Sequence, residues 1–132
     1  VYASPDYIRK HGMPETLAEI SDHRLLSFGT APGYLTSINW LETAGLQDGE
    51  VREPILKINN VYGLRRAVET GLGIASLPDY IVGSDSNLIR IDLQADTPEY
   101  ETNFVYPEEL KQSKRVAVFR DFIVSKAKEW TF

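Results

Sequence analysis

The sequence predicts an α/β fold, with a mixed, mostly parallel sheet flanked by helices. Short apolar runs alternate along the chain with segments of helical periodicity. The clearest of them are a strand at residues 53–58, a helix at 61–70 and a strand at 73–77, which follow one another as a β-α-β unit. A crossover of this kind makes its two strands parallel. The 132 residues, 42% of them hydrophobic, are enough to bury a core.

The helix boundaries follow from capping residues. Ser4 is an N-cap residue in front of Pro5, which suits the first helical turn. Thr16 and Glu19 have the spacing of a capping box, and Asn60 is an N-cap for the central helix. The predicted helices are residues 6–10, 16–23, 61–70, 79–82 and about 114–130.

Strands are predicted where short apolar runs, or alternating apolar and polar residues, lie between turn signals. The segment containing Trp40 has the weakest pattern of this kind. The predicted strands are residues 25–28, 37–41, 53–58, 73–77, 88–93 and 100–106. The final helix has one apolar stripe with spacings of 3, 4, 4 and 3 residues, formed by Val116, Phe119, Ile123, Ala127 and Trp130.

Composition excludes several classes of protein. The net charge is 14 − 19 = −5, which disfavours a nucleic-acid-binding surface on this chain. Without cysteine there is no disulfide scaffold and no thiolate metal site. No apolar run approaches the ~18 residues of a membrane span. Residues 1–5 have neither Met nor a basic, apolar start, so we do not expect a signal peptide there.

The predicted topology places a candidate ligand site at one edge of the sheet. Parallel strands end at the same edge, and open α/β sheets bind ligands outside these carboxyl ends. The amides at the start of the central helix point to the same place and favour an anionic or carbonyl oxygen. The residues at this edge are Asn59, Asn60, Val61, Tyr62 and Pro78, joined by Ser27, Phe28 and Gly29 if strand 25–28 runs in the same direction.

No catalytic or cofactor site can be assembled from the sequence. His11 and His23 form no metal-binding pattern, and the neighbours of His23 cannot fold into a triad. Gly71 and Gly73 follow a helix and precede a strand, the reverse of a dinucleotide-binding fingerprint. We therefore expect no catalytic residue, no metal and no cofactor, and hence no enzyme.

Three segments resemble a known family in their order along the chain. They are VYASPDYI with the KHG that follows, LRRAVETGLGIASLPDY at residues 64–80, and FRDFI in the closing amphipathic helix. Together they resemble the effector-binding domain of LysR-type transcriptional regulators, and the resemblance covers nearly the whole chain. That domain is similar to type 2 periplasmic binding proteins, with two α/β subdomains joined by two crossover strands.

The resemblance implies a division of the chain. Residues 1–106 would form the second subdomain with a crossover strand at each end, and residues 107–132 would supply the last helix of the first subdomain. The hinge would then lie at Tyr2, Ala3, Val105 and Tyr106. The winged helix-turn-helix and the first half of the first subdomain would be absent from this chain.

The resemblance also implies a function. The family's pocket maps near Ser27, Phe28, Gly29, Asn60 and Val61, at the sheet edge already named. The chain would sense a small-molecule metabolite in the cytoplasm as part of a homodimer or homotetramer, with no membrane partner and with DNA bound only through the absent N-terminal domain. The alternative is an extracytoplasmic solute-binding protein of the same architecture. An enzyme on a similar fold is the third reading.

Overall fold

The computed structural model describes residues 1–30, 33–83, 86–99 and 103–129. The chain forms two compact units, residues 1–98 and 99–132. In chain order the elements are β1 (Tyr2–Ala3), α1 (Pro5–His11), a 3₁₀ turn (Glu19–Asp22), β2 (Leu26–Phe28), a 3₁₀ segment (Gly33–Glu42), β3 (Leu56–Ile58), α2 (Val61–Glu69), α3 (Asp79–Val82), β4 (Ile89–Arg90), a second 3₁₀ turn (Glu108–Leu110) and α4 (Lys114–Lys128).

Strand pairing in the first unit places five extended segments side by side. β2 pairs with β3 in parallel, and Leu25 forms a parallel bridge with Ile74. Ala75 forms an antiparallel bridge with Tyr2, and β1 pairs antiparallel with β4. The spatial order is therefore β4, β1, residues 74–75, β2 and β3, in which β1 runs against its neighbours.

The core of the first unit lies on both faces of these strands. Successive strand residues point to opposite faces, so adjacent residues enter different clusters. The α1 side contains Ala3, Tyr7, Ile20, Leu25, Leu41, Ile74, Ile91 and Leu93. The α2 side contains Tyr2, Leu26, Leu64, Val68, Ala75, Leu77 and Val82. Helices on both faces explain why these strands carry adjacent apolar residues.

The predicted mixture of helices and strands is confirmed, and helices match more closely than strands. α1 begins after Ser4, whose Oγ accepts the Tyr7 N–H at 3.2 Å, and ends at Gly12, where φ is +82°. α2 and α3 lie where the sequence places them. The predicted helix at residues 16–23 is only the short turn Glu19–Asp22, although Thr16 Oγ1 accepts the Glu19 N–H at 3.4 Å as the predicted capping box requires.

The predicted strand at residues 37–41 is wrong. Residues 33–42 form the 3₁₀ segment instead, with a kink at Asn39. Ile38 and Leu41 are both buried and lie three residues apart, which is a helical spacing. A half-buried strand would bury residues two apart. The short polar-apolar alternation around Trp40 therefore predicted the two-residue repeat of a strand, whereas the burial follows the repeat of a helix.

Other predicted strands are shorter than expected. Of residues 53–58 only Leu56–Ile58 form a strand, and of residues 88–93 only Ile89–Arg90 do so. In residues 73–77 only Ile74 and Ala75 form bridges. In the predicted strand at 100–106, residues 100–102 lie outside the described part of the chain. Residues 103–106 form no strand there, and Phe104 instead packs its ring against Tyr106 and Phe119.

The second unit contains α4 as its main element. α4 covers Lys114–Lys128, and none of its described residues is buried. Val116 and Ile123 of the predicted stripe are partly buried, whereas Phe119 and Ala127 are exposed. Trp130 lies outside the described residues. No helix in the described part of the chain is long and apolar enough to cross a membrane.

Candidate functional site

The ends of β2 and β3 meet, as the topology predicted. The parallel register places Phe28 opposite Ile58, and the Gly29 N–H donates to the Ile58 carbonyl at 3.0 Å. A Cβ on Gly29 would overlap the side-chain amide of Asn59. A larger residue at position 29 would therefore displace the exposed Asn59 side chain, while the Asn59 backbone nitrogen, 3.4 Å from that Cβ, leaves the strand ends room to approach.

The start of α2 lies at the same edge. Asn60 is extended, with φ −147° and ψ 122°, and its Oδ1 accepts the Gly63 N–H at 2.9 Å. The amides of Val61 and Tyr62 belong to the positive end of the helix. Tyr62 is 63% exposed, so its ring is available to a ligand. Asn60 thus has a structural role as a helix cap that the sequence predicted.

A third strand end completes the edge. Because Ile74 pairs in parallel with Leu25, Ser76 and Pro78 follow at the same side as Phe28. Pro78 is partly buried and precedes the first residue of α3. Ser27 lies within β2, and only 4% of its surface is exposed. The structure therefore brings the predicted residues to one edge, but buries Ser27 beneath it.

The sequence reasoning missed the 3₁₀ segment that lies against this edge. The Asn39 side chain holds the main chain of Phe28 at both polar groups: its Oδ1 accepts the N–H at 3.0 Å, and its Nδ2 donates to the carbonyl at 2.8 Å. The Trp40 indole N–H donates to Ser76 Oγ at 3.0 Å. Two consecutive side chains thus connect this segment to two strand ends. Only the polar Asn39 next to an aromatic residue hinted at this.

The predicted hinge residues have different surroundings. Ala3 is fully buried, and the Tyr2 hydroxyl donates to Asp79 Oδ1 at 2.5 Å. Burial and this carboxylate raise the pKa of Tyr2 to about 12. Val105, in the other unit, is 84% exposed, and the Tyr106 ring packs at a tilt against Phe104 with ring centroids 5.6 Å apart. The assignment of these residues to a hinge stays a prediction.

Two cavities in the first unit lie away from this edge. One, of about 440 Å³, is next to α1 and the second half of α2, where Arg65 donates to Glu69 at 2.8 Å and to the Ile81 carbonyl at 2.8 Å. Another, of about 490 Å³, contains His23 and Arg52. Among the described residues no group of three or more His, Asp and Glu side chains could hold a metal ion.

Arg52 was not singled out by the sequence. Its guanidinium is buried, and it donates to Ser21 Oγ at 2.9 Å and to the carbonyls of Leu17, Leu41 and Ala44 at 2.8, 2.9 and 2.6 Å. Burial lowers the pKa of Arg52 from its usual value. These acceptors come from two separate segments, residues 17–21 and 41–44, so Arg52 has a structural role near the amino ends of β2 and β3.

Comparison with known proteins identifies the family. The LysR substrate binding domain model matches residues 1–128. The HTH-type transcriptional regulator CrgA of Neisseria meningitidis serogroup C is 34% identical over 128 residues, which is 94% of this chain and 42% of CrgA. An uncharacterized HTH-type transcriptional regulator of Haemophilus influenzae is 28% identical over 110 residues, covering 80% of this chain and 37% of that protein.

Solved structures agree with the family match. The regulatory domain of Neisseria meningitidis CrgA superposes with a TM-score of 0.71 at 30% identity, covering 95% of this chain and 62% of that one. The AphB regulatory domain of Vibrio vulnificus has the same fold, with a TM-score of 0.54 at 22% identity over 95% and 61% of the two chains. This chain spans less than half the length of the curated relatives. It belongs to the LysR substrate binding domain family.

Proposed function

We propose that this chain is the effector-sensing part of a DNA-binding regulator of transcription, and that it binds a small metabolite reversibly without performing chemistry. The family match over residues 1–128, with relatives named HTH-type transcriptional regulators, carries the proposal. The chain covers 42% of CrgA, so we assign DNA contacts to a domain outside it. The relatives favour this reading over a solute-binding protein of the same fold.

The proposed effector site is the edge at which the three strand segments end. It consists of the predicted residues Ser27, Phe28, Gly29, Asn59, Asn60, Val61, Tyr62 and Pro78, to which we add Asn39, Trp40 and Ser76. The polar groups here are the side-chain amides of the asparagines, the hydroxyls of Ser27, Tyr62 and Ser76, and the first N–H groups of α2. Neutral donors at a helix start suit a ligand with a carbonyl or carboxylate oxygen.

Effector binding would act by moving two subdomains. We assign residues 1–106 to the second subdomain and 107–132 to the first, with the hinge at Tyr2, Ala3, Val105 and Tyr106. The ligand must bind one arrangement more tightly than the other to shift the equilibrium between them. In a cytoplasmic homodimer or homotetramer, that shift would change how the DNA-binding domains meet their sites.

A thermal-shift screen of carboxylic acids, amino acids and neutral metabolites would identify the effector class. Asn60→Ala is a poor probe by itself, because losing the cap of α2 costs about 1 kcal/mol. Asn60→Asp keeps the oxygen that accepts the Gly63 N–H, while it removes the amide donor and adds a negative charge. We expect Asp at this position to weaken binding of a carboxylate hit at least about tenfold.

The matched control is Arg66→Gln on the same helix, because Arg66 is exposed and lies beside the cavity at the other edge. This variant should bind the hit as the unmodified chain does. Equal affinity of the Asn60→Asp variant and the unmodified chain would remove Asn60 from the site. A hit that leaves the DNA footprint of the full-length protein unchanged would contradict the sensing function.

A further inference from the structure

Tyr7 connects α1 to the residues that precede β2. Its side chain is 1% exposed, and its hydroxyl lies 2.9 Å from the Arg24 backbone nitrogen and 3.1 Å from Nδ1 of His23. The ring also stacks on His11, with centroids 4.5 Å apart. One buried hydroxyl therefore contacts a backbone donor and a group that titrates near neutral pH.

The two contacts place the Tyr7 hydroxyl between a fixed donor and a ring nitrogen that can donate or accept. The Arg24 N–H can only donate, so the Tyr7 oxygen accepts there. The hydroxyl has one proton, and it can donate that proton to Nδ1 of His23 when the imidazole is neutral with its own proton on Nε2. Burial raises the pKa of Tyr7, so the phenol keeps its proton at neutral pH. In that tautomer both the oxygen and the proton of the Tyr7 hydroxyl have partners, and a proton on Nδ1 would remove the acceptor of the hydroxyl proton.

We propose that His23 is a pH-sensitive latch, whose protonation breaks the hydrogen bond from Tyr7 and loosens α1 from the segment at residues 19–24. A proton on Nδ1 would face an oxygen that already accepts the Arg24 N–H. The Tyr7 hydroxyl proton would then lose its acceptor in a buried position. Because α1 follows β1 directly, the loosening would reach the strand that contains Tyr2 and Ala3. The latch does not depend on the effector assignment.

The groups around His23 favour its neutral form on balance. Burial lowers the pKa of His23 most, and His11 lowers it further, while Asp22 and Glu19 raise it in part. The charged and titratable groups that face it come from every neighbouring element: His11 and Tyr7 of α1, Glu19, Asp22 and Arg24 of its own segment, and Glu50, Arg52 and Glu53 across the shared cavity.

The sign of the pH effect follows from the lowered pKa. Below about 6.5 the unfolded chain binds a proton at His23 more readily than the folded chain does. The neutral His23 therefore stabilises the folded chain fully above about pH 6.5. This stabilisation is lost as the pH falls through the pKa that His23 has in the folded chain.

The experiment is an NMR titration of the whole chain, which has two histidines. His11→Gln assigns the two imidazole resonances. We expect His23 to titrate below the ordinary histidine value of about 6.5. Hydrogen exchange of the α1 amides, corrected for its intrinsic pH dependence, should become at least about threefold faster from pH 7.5 to 5.0.

His23→Asn provides the matched variant, because its Oδ1 can accept from Tyr7 at the position of Nδ1 without titrating. It should abolish the pH-dependent exchange of α1, whereas His11→Gln should keep it. A His23 that titrates at or above its ordinary value would overturn the latch, and so would pH-dependent exchange that persists in His23→Asn. If His23→Asn does not fold, the pKa of His23 measured in the unmodified chain decides whether the proposal stands.

Discussion

Helices α2 and α4 carry similar sequence signals but differ in what they bury. α2, with nine residues, buries Leu64 and Val68 against the strands of the first unit. α4 is longer, with 15 residues, yet none of its described residues is buried, and Phe119 and Phe122 are more than half exposed. An apolar stripe thus predicts that a helix will form, but the surface that covers the stripe must come from elsewhere in the fold.

Local capping differs between the two units as well. Ser4 and Asn60 each accept a backbone N–H at the start of α1 and α2, whereas the Ser113 side chain makes no capping bond to α4. α1 and α2 of the first unit are therefore stabilised both by local caps and by packing. Mutations of equal size should lower the free energy of unfolding more in the first unit than in α4. The following experiments test that difference.

Truncating core side chains should give the largest contrast. Leu64→Ala removes a side chain that is 1% exposed, and should lower the free energy of unfolding by about 3 kcal/mol through lost burial and a cavity. Phe119→Ala removes a larger side chain that is 53% exposed, and should change it by less than about 0.5 kcal/mol. Urea denaturation of both variants measures the contrast. Equal losses would show that α4 is covered in solution.

Removing the buried guanidinium should have the next largest effect. Arg52→Met leaves the carbonyls of Leu17, Leu41 and Ala44 without their donor, and should cost about 2 kcal/mol or more. Arg90→Met is the control, because Arg90 is exposed and its ion pair with Asp79 is long at 3.8 Å. Urea midpoints compare the two. A loss no greater than that of the control would mean that water replaces the guanidinium.

The hydrogen bond between Tyr2 and Asp79 should have a smaller effect. Tyr2→Phe removes a donor to a carboxylate and should cost about 1–2 kcal/mol. A double-mutant cycle with Asp79→Asn isolates the pair by thermal or urea unfolding. Additive losses would show that the two side chains do not act together, and would weaken the link between β1 and α3.

The helix caps should give the smallest contrast. Ser4→Ala removes the oxygen that accepts the Tyr7 N–H, and should cost about 1 kcal/mol. Ser113→Ala at the start of α4 should leave the unfolding free energy unchanged, because its side chain makes no capping bond. Thermal unfolding measures both variants. A matching loss at Ser113 would mean that it caps α4 in solution.

The residues at the candidate site show how far sequence reasoning could go. Asn60 was predicted as a cap, and the capping bond to Gly63 confirms that role. The approach of Gly29 to Asn59 required only that strands 25–28 and 53–58 be parallel neighbours. Asn39 and Ser76 could not be found, because their bonds to Phe28 and Trp40 span 11 and 36 residues along the chain.

What the sequence determined by itself was local. Capping residues and helical periodicity located α1, α2, α3 and α4, because these signals lie within about one turn of the helix they specify. The tertiary structure decided the rest: the path of residues 33–42, the loops joined by Arg52, and the faces that are buried. Such features depend on contacts between distant parts of the chain, and no local pattern encodes which distant group will be near.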